Sequence, residues 1–306
     1  MDILLVGTYT QHDAPAVLEK QELGEGIYLI PYNETLGGVT GAPLIIRMQN
    51  PSWVCMVKNR LFAVSESEDA AEIVEYEVRG QEERLTVEQK AGLQMPGKAS
   101  CHIEKDEKGQ RLFVSDYGSG DLKVIDISEA GSPKLLQEIS FTGRGLDPER
   151  QEASHIHSCF LHEGDLYAAD LGCDKIYSFG TDKGKLLQKE TIEVRPGAGP
   201  RHMEILEKNG KTYLYVLNEL DITISVYCNG NLCQTISLEE NLPEGVLASE
   251  LCIAEGKMLY ASVRGTGEIF GFTIEENGML SLKQKVVVPE GWFRSICLDS
   301  SEKHLL

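Results

Sequence analysis

The residues able to do chemistry in this chain stand in a few short groups. His155 and His157 are two apart, so with Ile156 inside a strand their side chains fall on one side of it. Two imidazoles placed so can bind a metal ion, or act as a base with an orienting partner, or simply be hydrogen-bonded structural residues. No third ligand with metal-type spacing stands nearby, so no metal is expected. Arg201 and His202 follow the turn Gly197-Ala198-Gly199-Pro200, which sets a fixed cation and an imidazole beside backbone N–H groups. Such a cradle suits an anionic or carbonyl oxygen; the plainer alternative is a turn arginine paired with a nearby carboxylate. Glu219 and Glu66 each close an apolar run and read as general bases or as acidic partners of the arginines. Arg264 and Arg294 add positive charge, and His102 and Glu250 stand at comparable points ahead of apolar runs.

The elements that must position these groups repeat. A small or polar lead-in, an alternating apolar run, a charged turn and a second apolar run with a polar tip recur about every fifty residues. The copies are PSWVCMVKNRLFAVSE from Pro51, ASCHIEKDEKGQRLFVSDYG from Ala99, ASHIHSCFLHEGDLYAADLG from Ala153, GPRHMEILEKNGKTYLYVLNE from Gly199 and ASELCIAEGKMLYASVRG from Ala248. A partial copy, GWFRSICLDSSEKHLL, stands at the C-terminus, and LLVGTYT near the N-terminus reads as a second strand without its first. Each tip is followed by a short third run, such as IVEYEV or ISVYCN, and a weaker fourth. Alternation and frequent Gly and Asn turns outweigh a helical reading of stretches such as Ser65 to Glu77.

Four antiparallel strands per period of this length predict an all-β, seven-bladed propeller built from four-stranded blades, occupying residues 1–306 as one domain. The seventh blade is split between the termini, with a short C-terminal share. First strands would line a central channel. The lead-in residues His102, His155, His157, Arg201, His202, Glu250 and Arg294 would then gather on one face, with strand tips supplying Glu66, Asp116, Asp170, Asn218, Glu219 and Arg264.

Composition narrows the partners. A formal net charge of −19 and a pI near 4.8 oppose attraction to nucleic acid or an anionic membrane. Arg264 and Arg294 would then form a local basic centre that focuses an anionic ligand. The eight cysteines are scattered without a CxxC pair, which suits free thiols in a reducing compartment. No apolar stretch approaches a membrane helix, and Ile3 to Thr8 reads as a strand rather than a leader, so a cytoplasmic location is expected. Phosphate-loop, dinucleotide, GxSxG and HExxH signatures are absent.

GAGPRHM followed by LYVLNEL resembles the bacterial 6-phosphogluconolactonase family of the seven-bladed propeller type, a cycloisomerase-2 relative. The likeness continues in order through GTYT at Gly7, GIYLIPYN at Gly26, NPSWV at Asn50, SDYGSG at Ser115, SHIHS at Ser154, ADLGCDKI at Ala169 and SVRGTGEIFGF at Ser262. Asp116 stands where the family carries Asn, and Val263 where it carries Asn before Arg264. The resemblance implies hydrolysis of a sugar δ-lactone, 6-phosphogluconolactone first, in the pentose phosphate pathway, with no cofactor. His155, His157 or Glu219 would activate water, Arg201 and His202 polarise the carbonyl, and Arg264 and Arg294 receive phosphate, with Glu66, His102 and Glu250 as further substrate contacts. The expected partner is a small anionic sugar lactone, and the expected state a monomer or weak homo-oligomer. A lactonase or muconate-type cyclase on another substrate, and a non-catalytic propeller binding module, are the rival readings.

Overall fold

Residues 211–218, KTYLYVLN, show how the chain makes its strands. Asn209 and Gly210 ahead of them have φ of 53° and 72°, the paired left-handed conformation of a tight hairpin turn that Asn-Gly supplies at little cost. The following run is buried from Tyr213 to Asn218. Its fully covered Tyr215 finds a partner for its hydroxyl in the carbonyl of Gly278 at 2.8 Å.

The computed structural model describes residues 2–12, 22–80, 84–106, 108–182, 184–239, 245–289 and 291–306. These contain twenty-four strands. The first twelve are β1 to β4 (Asp2–Gly7, Gly26–Asn33, Gly38–Val39, Leu44–Arg47), β5 to β8 (Trp53–Val57, Arg60–Ser65, Ala71–Arg79, Thr86–Met95) and β9 to β12 (Ser100–Lys105, Arg111–Asp116, Asp121–Asp126, Lys134–Ser140). The remainder are β13 to β16 (Ile156–His162, Asp165–Asp170, Lys175–Asp182, Lys185–Glu193), β17 to β20 (Pro200–Lys208, Lys211–Asn218, Thr223–Cys228, Asn231–Ser237) and β21 to β24 (Leu247–Ala254, Met258–Arg264, Glu268–Ile274, Leu280–Val287). Each group of four makes one sheet, and five of the six run in sequence order; in the first, β2 pairs with β1, β3 and β4. Consecutive antiparallel strands in fours are propeller blades, and the all-β expectation holds. The stretch from Ser65 to Glu77 is strand at both ends, not helix.

The expected seven blades are not all formed: the described residues build six four-stranded sheets. The C-terminal copy makes only one bridge, Leu298 to Leu305, with Cys297 and Leu306 exchanging backbone hydrogen bonds at 3.1 and 2.8 Å. Asp299 closes that hairpin by accepting from Ser301 and from the backbone and Nδ1 of His304.

By contact density the residues fall into two units. One comprises 1–142, 154–166 and 180–187; the other comprises 143–153, 167–179 and 188–306. In the first, Ile27, Leu29, Leu61, Ala63, Val74 and Tyr76 form one core cluster, and Phe62, Val64, Ile73, Ile103, Leu112 and Val114 belong to a second. In the second unit, Tyr215, Leu217, Ile224 and Val226 pack with Leu259, Ala261, Phe270 and Phe272. Burying each Val, Leu, Ile or Phe among them contributes about 1.5–3 kcal/mol. Within a blade, burial changes in character: β17 opens on buried polar residues, β18 and β19 are apolar and covered, and β20 alternates at the exposed edge. Blade architecture therefore keeps buried polar chemistry at the start of first strands. Among the described residues no helix is long and apolar enough to cross a membrane.

Candidate active site

Three guanidiniums meet one carboxylate in the second unit. Arg201 opens β17, Glu219 follows the end of β18, Arg264 ends β22, and Arg150 comes from the segment 143–153. Arg201 Nε lies 2.8 Å and Arg264 Nη2 2.9 Å from Glu219 Oε2, while Arg150 Nη2 lies 2.5 Å from Oε1. Arg201 and Arg264 side chains are about as buried as Glu219; Arg150 keeps 34 % exposure. Burial alone would raise the Glu219 carboxyl, but Arg264, Arg150 and Arg201 together hold it well below the usual carboxylate range. Burial pushes the Arg264 guanidinium down to about 9; Glu219 opposes that, and Arg294, Arg201 and Arg150 add to it. Half-buried Arg294 thus acts on the same centre, and its carbonyl accepts the Ser249 hydroxyl at 2.7 Å. Positive charge outnumbers negative here, which leaves the centre complementary to an anion.

A histidine–carboxylate pair stands beside this group. His202 Nδ1 is 2.6 Å from Glu250 Oε1, and both are buried. A carboxylate accepts, so Nδ1 carries the proton and Nε2 keeps its lone pair. Burial lowers the His202 pKa, Glu250 counteracts, and neighbouring Arg201 lowers it further. Arg201 Nη1 also donates to the carbonyl of Ser249.

Bulges explain how neighbours in sequence reach different partners. The β17–β18 register shifts between Pro200 and His202, and the β21–β22 register shifts between Ala248 and Leu251. An extra residue in one strand rotates the side chains around it, aiming Arg201 at Glu219 and His202 at Glu250. A third shift falls opposite Ser115 and Asp116, across from Ser100 and His102 in β9.

The first unit holds the other sequence candidates. His155 and His157 both meet the ring of Tyr117, the first stacked at 4.3 Å and the second edge-on at 5.7 Å. Both are buried, and His155 Nδ1 lies 2.7 Å from the Tyr117 carbonyl. His155 lies just ahead of β13 and His157 within it, so the two share a neighbour in Tyr117 rather than a strand face. His102 lies against Trp53, with ring centroids 4.3 Å apart, and its Nδ1 accepts the N–H of Cys159 at 3.4 Å. Glu66 accepts the Tyr9 hydroxyl at 2.8 Å. Among the described residues no three His, Cys, Asp or Glu side chains are grouped as a metal site requires.

The structure thus gathers Arg201, His202, Glu219, Glu250, Arg264 and Arg294 in one unit, and His155, His157, His102 and Glu66 in the other. Arg150 was missed by sequence reasoning. It lies in GRGLDPERQ, a charged stretch with no apolar alternation that reads as an ordinary solvated loop. The one usable signal was its place just ahead of the histidine-bearing copy of the repeat.

Residues 3–306 match the family described as lactonase, 7-bladed beta-propeller. The chain belongs to this family of β-propeller lactonases, hydrolases that open a lactone ester. It is 32 % identical to a 6-phosphogluconolactonase of Formosa agariphila, over 92 % of this chain and 85 % of that one, and 26 % identical to a 6-phosphogluconolactonase of Bacillus subtilis, over 98 % and 86 %. Among solved structures, a Lactobacillus plantarum protein is 25 % identical with a TM-score of 0.85, covering 99 % of this chain and 87 % of that one. A periplasmic gluconolactonase of Pseudomonas aeruginosa, 24 % identical over 99 % and 87 % at a TM-score of 0.83, shares the fold.

Proposed function

We propose that the protein hydrolyses a sugar δ-lactone bearing an anionic group, with 6-phosphogluconolactone as substrate and 6-phosphogluconate as product, in the pentose phosphate pathway. The observation that carries this reading is the convergence of Arg150, Arg201 and Arg264 on Glu219, with Arg294 acting on the same centre. The names of the Formosa and Bacillus relatives support the choice of substrate.

Lactone opening needs an attacking water, a stabilised oxyanion and a proton for the leaving alkoxide. His202, oriented by Glu250, takes the water proton at Nε2 as the oxygen attacks the carbonyl carbon. Arg201 and Arg264 balance the charge that grows on the carbonyl oxygen. When the ring C–O bond breaks, the His202 proton passes to the alkoxide. Glu219, held ionised and occupied by three guanidiniums, suits holding them better than activating water. His155 and His157 are the second candidates for the proton-transfer role. The free thiols suit a reducing cytoplasm, and the net charge of −19 suits a monomer or weak homo-oligomer that binds neither nucleic acid nor membrane. The whole chain serves as one propeller domain in this reading.

Freshly made 6-phosphogluconolactone, assayed against its spontaneous hydrolysis, tests the proposal. Replacing Arg201 or Arg264 singly by Ala should lower kcat/KM by about 10²–10³-fold with the circular dichroism unchanged. Wild-type rates equal to background in a folded sample would sink it.

A further inference from the structure

Gln151 and Asp174 each hold a segment that carries one of the arginines, and Asp174 occupies the Gly197 and Gly199 N–H groups that the sequence had suggested as a cradle for a substrate oxygen. Gln151 is 1 % exposed. Its Oε1 accepts the N–H groups of Leu146 and Asp147 at 2.9 and 3.1 Å, and its Nε2 donates to the Leu171 carbonyl and to Asp174 Oδ1, both at 2.8 Å. Asp147 Oδ1 in turn accepts the N–H of Arg150 at 3.0 Å. A Cβ on Gly145 would come within 2.4 Å of the Gln151 side chain, so the segment wraps it closely.

Asp174, 5 % exposed, works in the opposite direction. Its Oδ2 accepts the Gly197 N–H at 2.7 Å and its Oδ1 the Gly199 N–H at 2.8 Å, fixing the turn that leads into Arg201. The Gly199 carbonyl then accepts the N–H of Glu219 at 2.7 Å. Hydrogen bonds therefore run in a closed circuit: from the Arg150 segment through Gln151 and Asp174 to the Arg201 turn, on to Glu219, and back to Arg150 through the ion pair. A single buried amide–carboxylate contact couples the two arginine-bearing segments.

We propose that Gln151 and Asp174 are a positioning pair that sets Arg150 against Arg201, so that Arg150 meets the anionic group of the substrate while Arg201 stands at its carbonyl oxygen. This rests on the lactonase reading for its substrate, but the arrangement makes a claim of its own. Of the three guanidiniums on Glu219, Arg150 has the greatest exposure and is the first an incoming anion meets. Displacing a binding group by about 1 Å can cost on the order of 10²-fold in rate, so a latch remote from the substrate can govern turnover.

The test uses the full chain with Gln151→Met, Asp174→Asn, Arg150→Gln and the Gln151→Met/Arg150→Gln double variant. Inorganic phosphate affinity is measured by calorimetry, and kcat and KM on 6-phosphogluconolactone. Single variants should weaken phosphate binding and raise KM by about tenfold or more, with kcat changed less. The double variant should match Arg150→Gln alone, because Gln151 acts through Arg150. Independent, additive losses would overturn the proposal, as would unchanged phosphate affinity in a folded Gln151→Met or Asp174→Asn. If Gln151→Met fails to fold, Asp147→Ala, which releases the Arg150 N–H, combined with Arg150→Gln carries the same cycle. A wild type that binds phosphate but leaves the lactone intact would refute the reaction, while the cycle in phosphate affinity still decides the positioning. A wild type that binds no phosphate would overturn the anion role given to Arg150.

Discussion

Glu219 shows how burial and partners decide what a side chain can do. A carboxylate surrounded by three guanidiniums holds its proton so weakly that it makes a poor base, whereas the buried His202 imidazole, although burial lowers its pKa too, is neutral with a lone pair to offer and remains the stronger base of the two. The sign of the pH effect follows. His202 must be neutral to accept a proton, and burial keeps it neutral to a lower pH than a free histidine. Activity should therefore persist below the ordinary histidine pKa of about 6.5 and fall only as pH drops through the lowered value. His202→Gln should cost about 10²–10⁴-fold in kcat/KM and abolish that acid limb. A limb surviving in the variant would move the proton to His155 or His157.

Hairpins and bulges are the working parts at the next scale up. The β10–β11 hairpin carries a buried ion pair: Lys123 and Asp116 are both fully covered and paired, with the Ser100 hydroxyl donating to Asp116 at 2.6 Å. Asp116 is the position where the resembled family carries Asn, and the structure explains the change by the buried Lys123 that pairs with it. Asp116→Asn alone should cost about 3 kcal/mol in urea unfolding, because it removes the nearest counter-charge of a buried ammonium and leaves it only Asp121 and Glu138, 3.8 and 3.9 Å away. Adding Lys123→Met should restore most of that loss; equal losses in the single and double variants would show that the pair carries little of the stability. The strands of this hairpin were legible from alternation, and its turn from Tyr117-Gly118-Ser119-Gly120. The bulges at the starts of β9, β17 and β21 were not, because one extra residue in a strand leaves almost no mark on a period of two.

Across the molecule, each of the eight cysteines is a free thiol, and they differ in reach. Exposed Cys233 should react first with a thiol reagent. Cys297 should lag although it is exposed, since local burial and the charges of Glu250 and Asp299 raise its thiol. Buried Cys101, Cys159 and Cys173 should stay silent until denaturant is added, and a reductant should leave the melting temperature unchanged. Fast reaction of the buried three would contradict this packing. Alternation, turn chemistry and a fifty-residue repeat are properties of neighbours in the chain, so strand order, blade type and most of the polar groups at strand starts and tips could be read from residue order alone. The pairing of Arg150 with Glu219, 69 residues apart, and of His202 with Glu250, 48 apart, could not. These depend on which side chains meet once the strands pack, and no local pattern encodes that.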